Sequence, residues 1–197
     1  SPLAVRGTGV NVAILDTGVN PHIDIDTNLK INQNFTLRPG TAAEDVNHHG
    51  THVAGICGAL QGNAVGIQGV APSCNIWNLR AGDNQGLFSA ADMVEGATYA
   101  SQNNAHVLNM SIAGGPFVQA LQDTLTAMFD KGIVLMGANG NTGVQETVIY
   151  PASYVGVIGI SNLHTNNLPH PSSTFGTMTD FTAPGGDINS LAPNNGY

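Results

Sequence analysis

Five mostly apolar runs, rich in β-branched residues and bounded by Gly, Asn or Pro, constrain the fold of this chain more than any other feature. They cover residues 10–15, 74–79, 105–110, 132–136 and 154–160. Continuous apolar runs of this length are typical of parallel strands that are buried on both faces. Segments with helical spacing lie between them, at residues 49–60, 89–100 and 116–129. The alternation predicts an α/β fold, with a parallel sheet and helices on both faces.

The composition fits one compact domain and argues against two classes of partner. Of 197 residues, 42% are hydrophobic, which is enough for a sizeable core, so we expect a single domain over residues 1–197. Acidic residues outnumber basic ones by 13 to 5, and so few cations do not form the basic surface that nucleic acid requires. No apolar run approaches the roughly 18 residues of a membrane-spanning helix. We therefore expect neither a nucleic-acid partner nor a membrane partner.

Asp16 is the first candidate for chemistry, because it follows the first apolar run and precedes Thr17 and Gly18. Ligands of parallel α/β sheets bind beyond the carboxyl ends of the strands, where this carboxylate is expected to lie. Asp-Thr-Gly is also ordinary turn chemistry, so a turn-capping Asp is the structural alternative. Aspartic proteases carry the same tripeptide but need a pair of carboxylates, and the chain has no second Asp-Thr-Gly or Asp-Ser-Gly. Asp16 is therefore expected to orient a partner group.

His49 is the second candidate and opens a predicted helix that is rich in small residues. The positive end of the helix dipole disfavours a histidine cation in the first turn, so His49 needs a carboxylate or acts as a neutral base. His48 and His52 have the spacing of the histidines in the zinc motif His-Glu-x-x-His, but the Glu is missing. We therefore do not favour a zinc site here.

Two sequence blocks around these candidates resemble the subtilisin-like serine proteases. Residues 12–19, Val-Ala-Ile-Leu-Asp-Thr-Gly-Val, resemble the Asp block of that family, and residues 49–55, His-Gly-Thr-His-Val-Ala-Gly, resemble its His block. Further blocks follow in the order of the family, at residues 69–72, 108–111, 138–141, 150–152 and 183–185. The ordered set covers nearly the whole chain. The resemblance implies a subtilisin-like fold that is incomplete at both ends of this chain.

The resemblance also implies catalytic roles for three residues. Asp16 would accept the Nδ1 proton of His49 and fix its tautomer, and His49 would act as general base and then as general acid. Asn141 would donate a hydrogen bond to the oxyanion, a contact whose loss costs about 3–4 kcal/mol of transition-state stabilisation. Asn139 is the alternative donor in the same turn, and the Gly-Asn order of the family favours Asn141.

The segments that bind substrate in the family resemble two stretches of this chain and the loops around the predicted oxyanion site. An extended peptide would pair with residues 111–113 on one side and residues 86–88 on the other, as an added strand. The implied substrate-binding residues are Gly86, Leu87, Phe88, Ser111, Ile112, Ala113, Ala138, Gly140 and Ala152. Plain core packing is the alternative role for the apolar members of this set. Thr142 and Ala152 imply an uncharged S1 pocket.

The nucleophile motif of the family is missing from the 197 residues. Relatives carry Gly-Thr-Ser-Met-Ala shortly after the Ala-Pro-Gly block, whereas 12 residues follow Gly185 here and no Gly-Thr-Ser occurs anywhere. Three explanations are open. The sequence is one piece of a nicked protease whose C-terminal piece carries the serine and stays bound as a separate chain, or it is a shortened form of a protease, or it belongs to a catalytically silent relative. We expect the complete protein to be a secreted serine endopeptidase with a peptide or protein substrate, and a silent peptide-binding relative is the alternative. This chain alone should not hydrolyse peptide bonds through a serine.

Calcium is the cofactor that the resemblance implies, and no organic cofactor is expected. Asp24 and Asn63 resemble contributors to a structural calcium loop, in which backbone carbonyls would supply the other oxygen ligands. A plain surface loop is the alternative.

The two cysteines, Cys57 and Cys74, permit either a disulfide or a pair of buried thiols. Cys57 lies on the predicted helix at residues 49–60, and Cys74 opens the strand after the connecting loop. A bridge that closes this loop of about 17 residues would stabilise the fold by about 3 kcal/mol in the chain-entropy model. The sequence alone leaves both possibilities open.

Overall fold

The computed structural model describes residues 5–36, 44–186, 188–192 and 196. The chain divides into two compact units. The first contains residues 1–108 and 189–197, and the second contains residues 109–188. Whether they act as the single predicted domain stays a prediction.

The first unit is built on parallel strands. Its elements are β1 (Asn11–Asp16), β2 (Leu29–Asn34), α1 (His49–Gly58), β3 (Asn75–Arg80) and α2 (Ala90–Gln102). Strand β3 lies between β2 and β1 and is parallel to both. Asp16 pairs with Arg80 in the register, so the carboxyl ends of β1 and β3 coincide. Ala54 of α1 is fully buried in a core cluster with Ile14 of β1 and Ile76 of β3, which explains why this helix is made of small residues.

Strand β4 (Val107–Met110) crosses the point at which the units divide. The second unit then holds α3 (Gln119–Asp130), β5 (Val134–Ala138), β6 (Gln145–Glu146), β7 (Val157–Leu163), β8 (Phe175–Gly176) and β9 (Phe181–Pro184). Strand β7 lies between β5 and β9 and is parallel to both, and β6 pairs with β8 as a separate parallel pair. The buried face of α3 consists of Leu121, Leu125 and Met128.

The predicted parallel α/β fold is confirmed, and the five apolar runs form β1, β3, β4, β5 and β7. The three helical segments form α1, α2 and α3, with small errors at their ends. Helix α3 begins at Gln119 rather than Pro116, because Val118 is still extended with φ −130°. Helix α1 ends at Gly58 rather than Leu60, because Ala59 leaves the helical region with ψ 143°.

The pattern of apolar runs in the sequence did not predict β2, β6, β8 and β9. Strand β2 lies at the end of the strand order and is only half buried, so it has few apolar residues. Strand β9 is exposed along its whole length and contains Pro184, which is tolerated at a sheet edge. Strands β6 and β8 contain only two residues each. None of these strands forms a continuous apolar run.

None of the helices in the described part of the chain combines the length and the apolar character that a membrane crossing requires.

Cys57 and Cys74 are free thiols in this structure, and their side chains are hydrogen-bonded to each other. The hydrogen bond to Cys74 and burial both raise the pKa of the Cys57 thiol, so little Cys57 thiolate is present near neutral pH. The same hydrogen bond lowers the pKa of Cys74, whose protection from reagents therefore comes from its burial. Cys74 is 1% exposed.

We expect iodoacetamide at pH 8 to label neither thiol rapidly in the folded protein, and to label both after unfolding without reductant. Rapid labelling of the folded protein would contradict this, and an absence of thiols after unfolding would establish the disulfide.

Candidate active site

Asp16 and His49 form the hydrogen-bonded pair that the sequence predicts. Asp16 ends β1 and is 1% exposed, whereas the side chain of His49, the first residue of α1, is 48% exposed. The Nδ1 atom of His49 lies 2.7 Å from Oδ1 of Asp16. The backbone N–H of Thr17 donates to the same oxygen at 2.7 Å and fixes the carboxylate. The predicted pair is therefore confirmed, although its role in a reaction stays a proposal.

The environment of His49 favours its protonated form. The hydrogen bond to Asp16 is the largest influence and raises the pKa of His49, while partial burial lowers it. The negative charges of Asp16 and Asp45 raise the pKa further, and the net direction is upward. This is the direction expected when a carboxylate outweighs burial. The same contact orients Nδ1 toward Asp16.

Asp45 organises the start of α1 and was not identified from the sequence. Its Oδ1 accepts the His48 N–H at 2.9 Å and the Thr17 hydroxyl at 2.8 Å. Its Oδ2 accepts the backbone N–H of Thr51 at 2.9 Å and the Thr51 hydroxyl at 2.6 Å. His48, directly before the helix, makes no capping hydrogen bond with its side chain. Asp45 therefore satisfies the N-terminal donors and fixes α1 to the turn after β1.

Gly50 lets α1 pack directly against that turn. A Cβ on Gly50 would overlap the carbonyl oxygen of Gly18 and would lie 3.1 Å from the Cβ of Asp16. Backbone atoms cannot move aside as the end of a side chain can, so the His49 end of the helix would shift. Residue 50 must therefore lack a side chain for the Asp16–His49 contact to form.

We expect Gly50→Ala to lower the free energy of unfolding by about 3 kcal/mol, the upper range for an overpacked core site. Gly58→Ala in the same helix is the matched control, because the atoms nearest to its Cβ would belong to the side chains of Ile76 and Cys74, at 3.0–3.1 Å, and not to the backbone. Urea unfolding of the two variants gives the comparison. Equal losses at both positions would contradict the packing argument.

The two candidate oxyanion donors lie in different environments. Asn139 is 0% exposed, and its Nδ2 donates to the hydroxyls of Ser161 and Thr179, both at 2.8 Å. The side chain of Asn141 is exposed. Because the amide of Asn139 is used inside the second unit, Asn141 is the better placed of the two to meet a substrate.

Thr174 holds the loop that carries Asn141. It is 0% exposed, its Oγ1 accepts the Thr142 N–H at 2.9 Å, and its own N–H donates to the Gly140 carbonyl at 3.1 Å. Gly140 has φ 89°, a conformation that favours glycine. Asn141 is thus flanked by two anchored residues. Sequence reasoning missed Thr174, since it lies in a Ser/Thr-rich stretch that carries no motif.

The predicted substrate segment 86–88 is the end of a tight loop. An antiparallel bridge joins Phe88 to Gly82, and Leu87 is 68% exposed. The N–H of Leu87 donates to the Asp83 carboxylate at 3.0 Å, and its carbonyl accepts the Asp83 N–H at 2.9 Å. The N–H of Gly86 also donates, to the Asp83 carbonyl at 3.0 Å, so the N–H groups of both Gly86 and Leu87 are bonded within the loop. Peptide pairing on this segment would therefore use the Gly86 carbonyl or the backbone of Phe88.

The predicted segment 111–113 lies in the second unit as irregular chain after β4. Ser111 accepts a hydrogen bond from the Asn109 side chain at 2.8 Å, Ile112 is half-buried and Ala113 is exposed. Ala113 also borders the predicted oxyanion loop, since a Cβ on Gly140 would lie 3.3 Å from it.

The remaining predicted pocket residues differ in burial. Ala138 is the last residue of β5 and is half-buried. Ala152 is 4% exposed and packs against β5, where a Cβ on Gly137 would lie 3.0 Å from its Cα. The burial of Ala152 is compatible with core packing as well as with the wall of a pocket.

The predicted calcium residues contact each other. Asp24 is 0% exposed, and its Oδ1 accepts the Asn63 amide at 2.6 Å while its Oδ2 accepts the Ile67 N–H at 3.0 Å. A cavity of about 340 Å³ is lined by Leu60 and by residues 62–68 of this loop. The chain therefore brings a buried carboxylate and an amide together at a loop that borders a cavity.

Comparison with known proteins gives a consistent result. A model of the subtilase family matches residues 7–197. The chain is 36% identical over 193 residues to a thermostable alkaline protease of Halalkalibacterium halodurans, covering 98% of this chain and 52% of that protein. It is 33% identical over 194 residues to the minor extracellular protease Epr of Bacillus subtilis, covering 98% of this chain and 29% of Epr.

A solved structure extends the likeness to the fold. The crystal structure of a cold adapted subtilisin-like serine proteinase matches with a TM-score of 0.84 and 28% identity, over 95% of this chain and 67% of that one. The chain thus spans about half or less of the first two relatives and two thirds of the solved structure. Because the family model matches almost from end to end and the Asp and His blocks form a bonded pair, this chain belongs to the subtilase family.

Proposed function

We propose that the complete protein containing this chain is a serine endopeptidase that uses an Asp-His-Ser triad. The observation that carries the proposal is the 2.7 Å contact between buried Asp16 and half-exposed His49. A buried carboxylate that holds one nitrogen of an accessible imidazole is the arrangement required of a triad base. The proposal is supported further by the contacts of Asp45 and Gly50, which fix the start of α1 and so the position of His49.

The chemistry assigns one proton path to His49. Its Nε2 would take the proton of the serine hydroxyl as that oxygen attacks the peptide carbonyl. The imidazolium would be stabilised by Asp16, and the same proton would then pass to the leaving amine. The serine would be supplied from outside the 197 residues, which contain no Gly-Thr-Ser.

Asn141 is proposed as the side-chain donor to the oxyanion. Three observations support this choice. Asn141 is exposed, Thr174 anchors its neighbours, and the amide of Asn139 is already hydrogen-bonded within the second unit. A donor held in place before the reaction stabilises the developing charge without reorganisation.

The proposed substrate is an extended peptide or protein segment. Residues 86–88 of the first unit and residues 111–113 of the second are each proposed to offer it backbone hydrogen bonds. Ala138 and Gly140 would contact the substrate from the oxyanion loop. Thr142 and Ala152 would line the S1 pocket, and their lack of charge predicts apolar or aromatic side chains there. The name of the extracellular relative supports secretion of the complete protein.

A silent peptide-binding relative is the second candidate, and the missing Gly-Thr-Ser is the observation that favours it. Sequencing the gene beyond Tyr197 separates the two. Gly-Thr-Ser within about twenty residues after Tyr197, by the Ala-Pro-Gly spacing of the family, supports the protease. Ala or Gly in place of that Ser supports the binding protein, and a serine on a separate, bound piece would indicate a nicked protease.

The direct functional test is hydrolysis of casein by the complete protein, with and without a sulfonyl fluoride that acylates activated serines. We expect hydrolysis that the inhibitor abolishes. Hydrolysis that the sulfonyl fluoride leaves unchanged but a metal chelator abolishes would overturn the proposed mechanism.

Calcium is proposed as a structural ion in the loop that faces Asp24. The donor chemistry fits, because a carboxylate, an amide oxygen and backbone carbonyls are the ligands that Ca²⁺ prefers. Asn63 presents its Nδ2 to Asp24 here, so its amide would turn to present Oδ1 to the ion.

We expect 1 mM Ca²⁺ to raise the melting temperature of the complete protein by about 5 °C relative to a chelator, since an ion at a hundred times its Kd contributes about 2.7 kcal/mol. Asn63→Ala should remove most of this increase. Asn166→Ala, an exposed asparagine of the second unit, is the control and should retain it. Equal increases in both variants would refute the assignment of this loop.

A further inference from the structure

A short hairpin after β7 brings two histidines together. An isolated antiparallel bridge closes it, the His164 N–H donates to the Leu168 carbonyl at 2.9 Å, and the His170 N–H donates to the Asn162 carbonyl at 3.1 Å. This register places His164 and His170 diagonally across one face of the hairpin. Their ring centroids are 4.4 Å apart.

Both rings lie against Gly186. A Cβ on Gly186 would lie 2.8 Å from Cδ2 of His170, 3.4 Å from Nδ1 of His164 and 3.5 Å from Nε2 of His170, so a side chain at residue 186 would collide with the His170 ring and crowd both nitrogens. The hydroxyl of Ser172 lies 2.7 Å from Nδ1 of His170 and holds that ring. Nε2 is therefore the nitrogen of His170 that can bind a ligand.

Asn162 adds an oxygen on the same face of the hairpin, since its register partner is His170. Its Oδ1 is buried and has no hydrogen-bond partner within the described ranges. A Cβ on Gly185, the neighbour of Gly186, would lie 2.7 Å from this oxygen. A buried amide oxygen is costly to leave unpaired, which points to a ligand at this position.

From the paired rings, the absence of a side chain at residue 186 beside both of them, and the unpaired oxygen on the same face of the hairpin, we infer that Asn162, His164 and His170 bind one divalent transition-metal ion such as Zn²⁺. Nδ1 of His164 and Nε2 of His170 supply the nitrogen ligands, and Oδ1 of Asn162 supplies an oxygen. Two imidazoles suit zinc, nickel or copper, whereas calcium and magnesium prefer oxygen ligands alone. Water completes the shell. None of these three residues takes part in the proposed triad or in the calcium loop.

The test is a Zn²⁺ titration of the complete protein, inactivated with a sulfonyl fluoride and followed through the imidazole C–H NMR signals. We expect the signals of His164 and His170 to shift together and to saturate near one equivalent of zinc. Ca²⁺ and Mg²⁺ at the same concentration should leave both signals in place. Shifts confined to His48, His49 and His52, or no shifts at all, would overturn the inference. This titration uses the parent sequence, so its result does not depend on whether any variant folds.

Substitutions then identify the ligands by calorimetry with Zn²⁺. His170→Gln should weaken zinc binding more than about tenfold, the lower end of what even outer-shell changes cost. Gly186→Ala should do the same without removing a ligand, because its Cβ would lie 2.8 Å from Cδ2 of His170. His106→Asn, which alters an exposed histidine of the first unit, is the control and should bind zinc as the parent does. Unchanged affinity in His170→Gln would exclude the site.

Discussion

Replacing His49 by Ala in the complete protein should lower kcat by about 10⁶-fold, the scale observed when a subtilisin loses its triad base. At 1.36 kcal/mol for each factor of ten, this is about 8 kcal/mol of transition-state stabilisation. The loss is large because the base, the orienting carboxylate and the nucleophile act as one unit. KM should change little, since His49 is proposed to contact the reacting atoms and not the peptide side chains.

Initial rates on a peptide anilide, measured over a range of substrate concentrations, separate kcat from KM. His106→Asn is the control, because it removes an exposed imidazole without touching the pair. Retention of more than a tenth of the parent kcat in His49→Ala would show that another group is the base.

Asp16→Asn should lower kcat by about 10⁴-fold, because an amide no longer selects the tautomer with the proton on Nδ1. It should also lower the pKa of His49. The hydrogen bond to Asp16 is the largest influence that raises this pKa, and its removal leaves partial burial, which lowers it. The remaining charge of Asp45 compensates only in part.

The sign of the pH dependence follows from the role of the base. His49 must be neutral to accept a proton, so a raised pKa places the acidic limb of kcat/KM above the pH at which an ordinary histidine titrates. In Asp16→Asn this limb should move to lower pH while the residual rate falls. Histidine NMR titration of the inactivated protein gives the same shift independently. Asp123→Asn, an exposed carboxylate on α3, should change neither, and an unchanged or higher His49 pKa in Asp16→Asn would refute the pairing.

The elements that carry continuous apolar runs were predictable from the sequence, because burial on both faces leaves a local pattern. Strands β1 and β3 are of this kind, and so the position of Asp16 at a carboxyl end could be predicted. Edge strands such as β2 and β9 bury one face or neither, so they lack the continuous run of apolar residues that would identify them as strands in the sequence.

The supporting contacts of the site were not predictable in the same way. Asp45 caps α1 from outside the helix, and its other partner, Thr17, is 28 residues away in sequence. Thr174 anchors a loop 32 residues before it. Such contacts depend on how the chain folds back on itself, and no local pattern of residue types encodes them. The Gly-Asn order of the family favoured Asn141 over Asn139, but the physical difference between them, the burial and internal hydrogen bonds of Asn139, is not revealed by a turn sequence.

The central claim is that the Asp16–His49 pair activates a serine that lies outside these 197 residues. Labelling of the complete protein with a fluorophosphonate, followed by peptide mapping, tests it most directly. The account predicts one labelled serine, within a Gly-Thr-Ser sequence beyond Tyr197, and no labelling in the His49→Ala variant. Labelling of Ser111 or another serine of this chain, or equal labelling in His49→Ala, would contradict it.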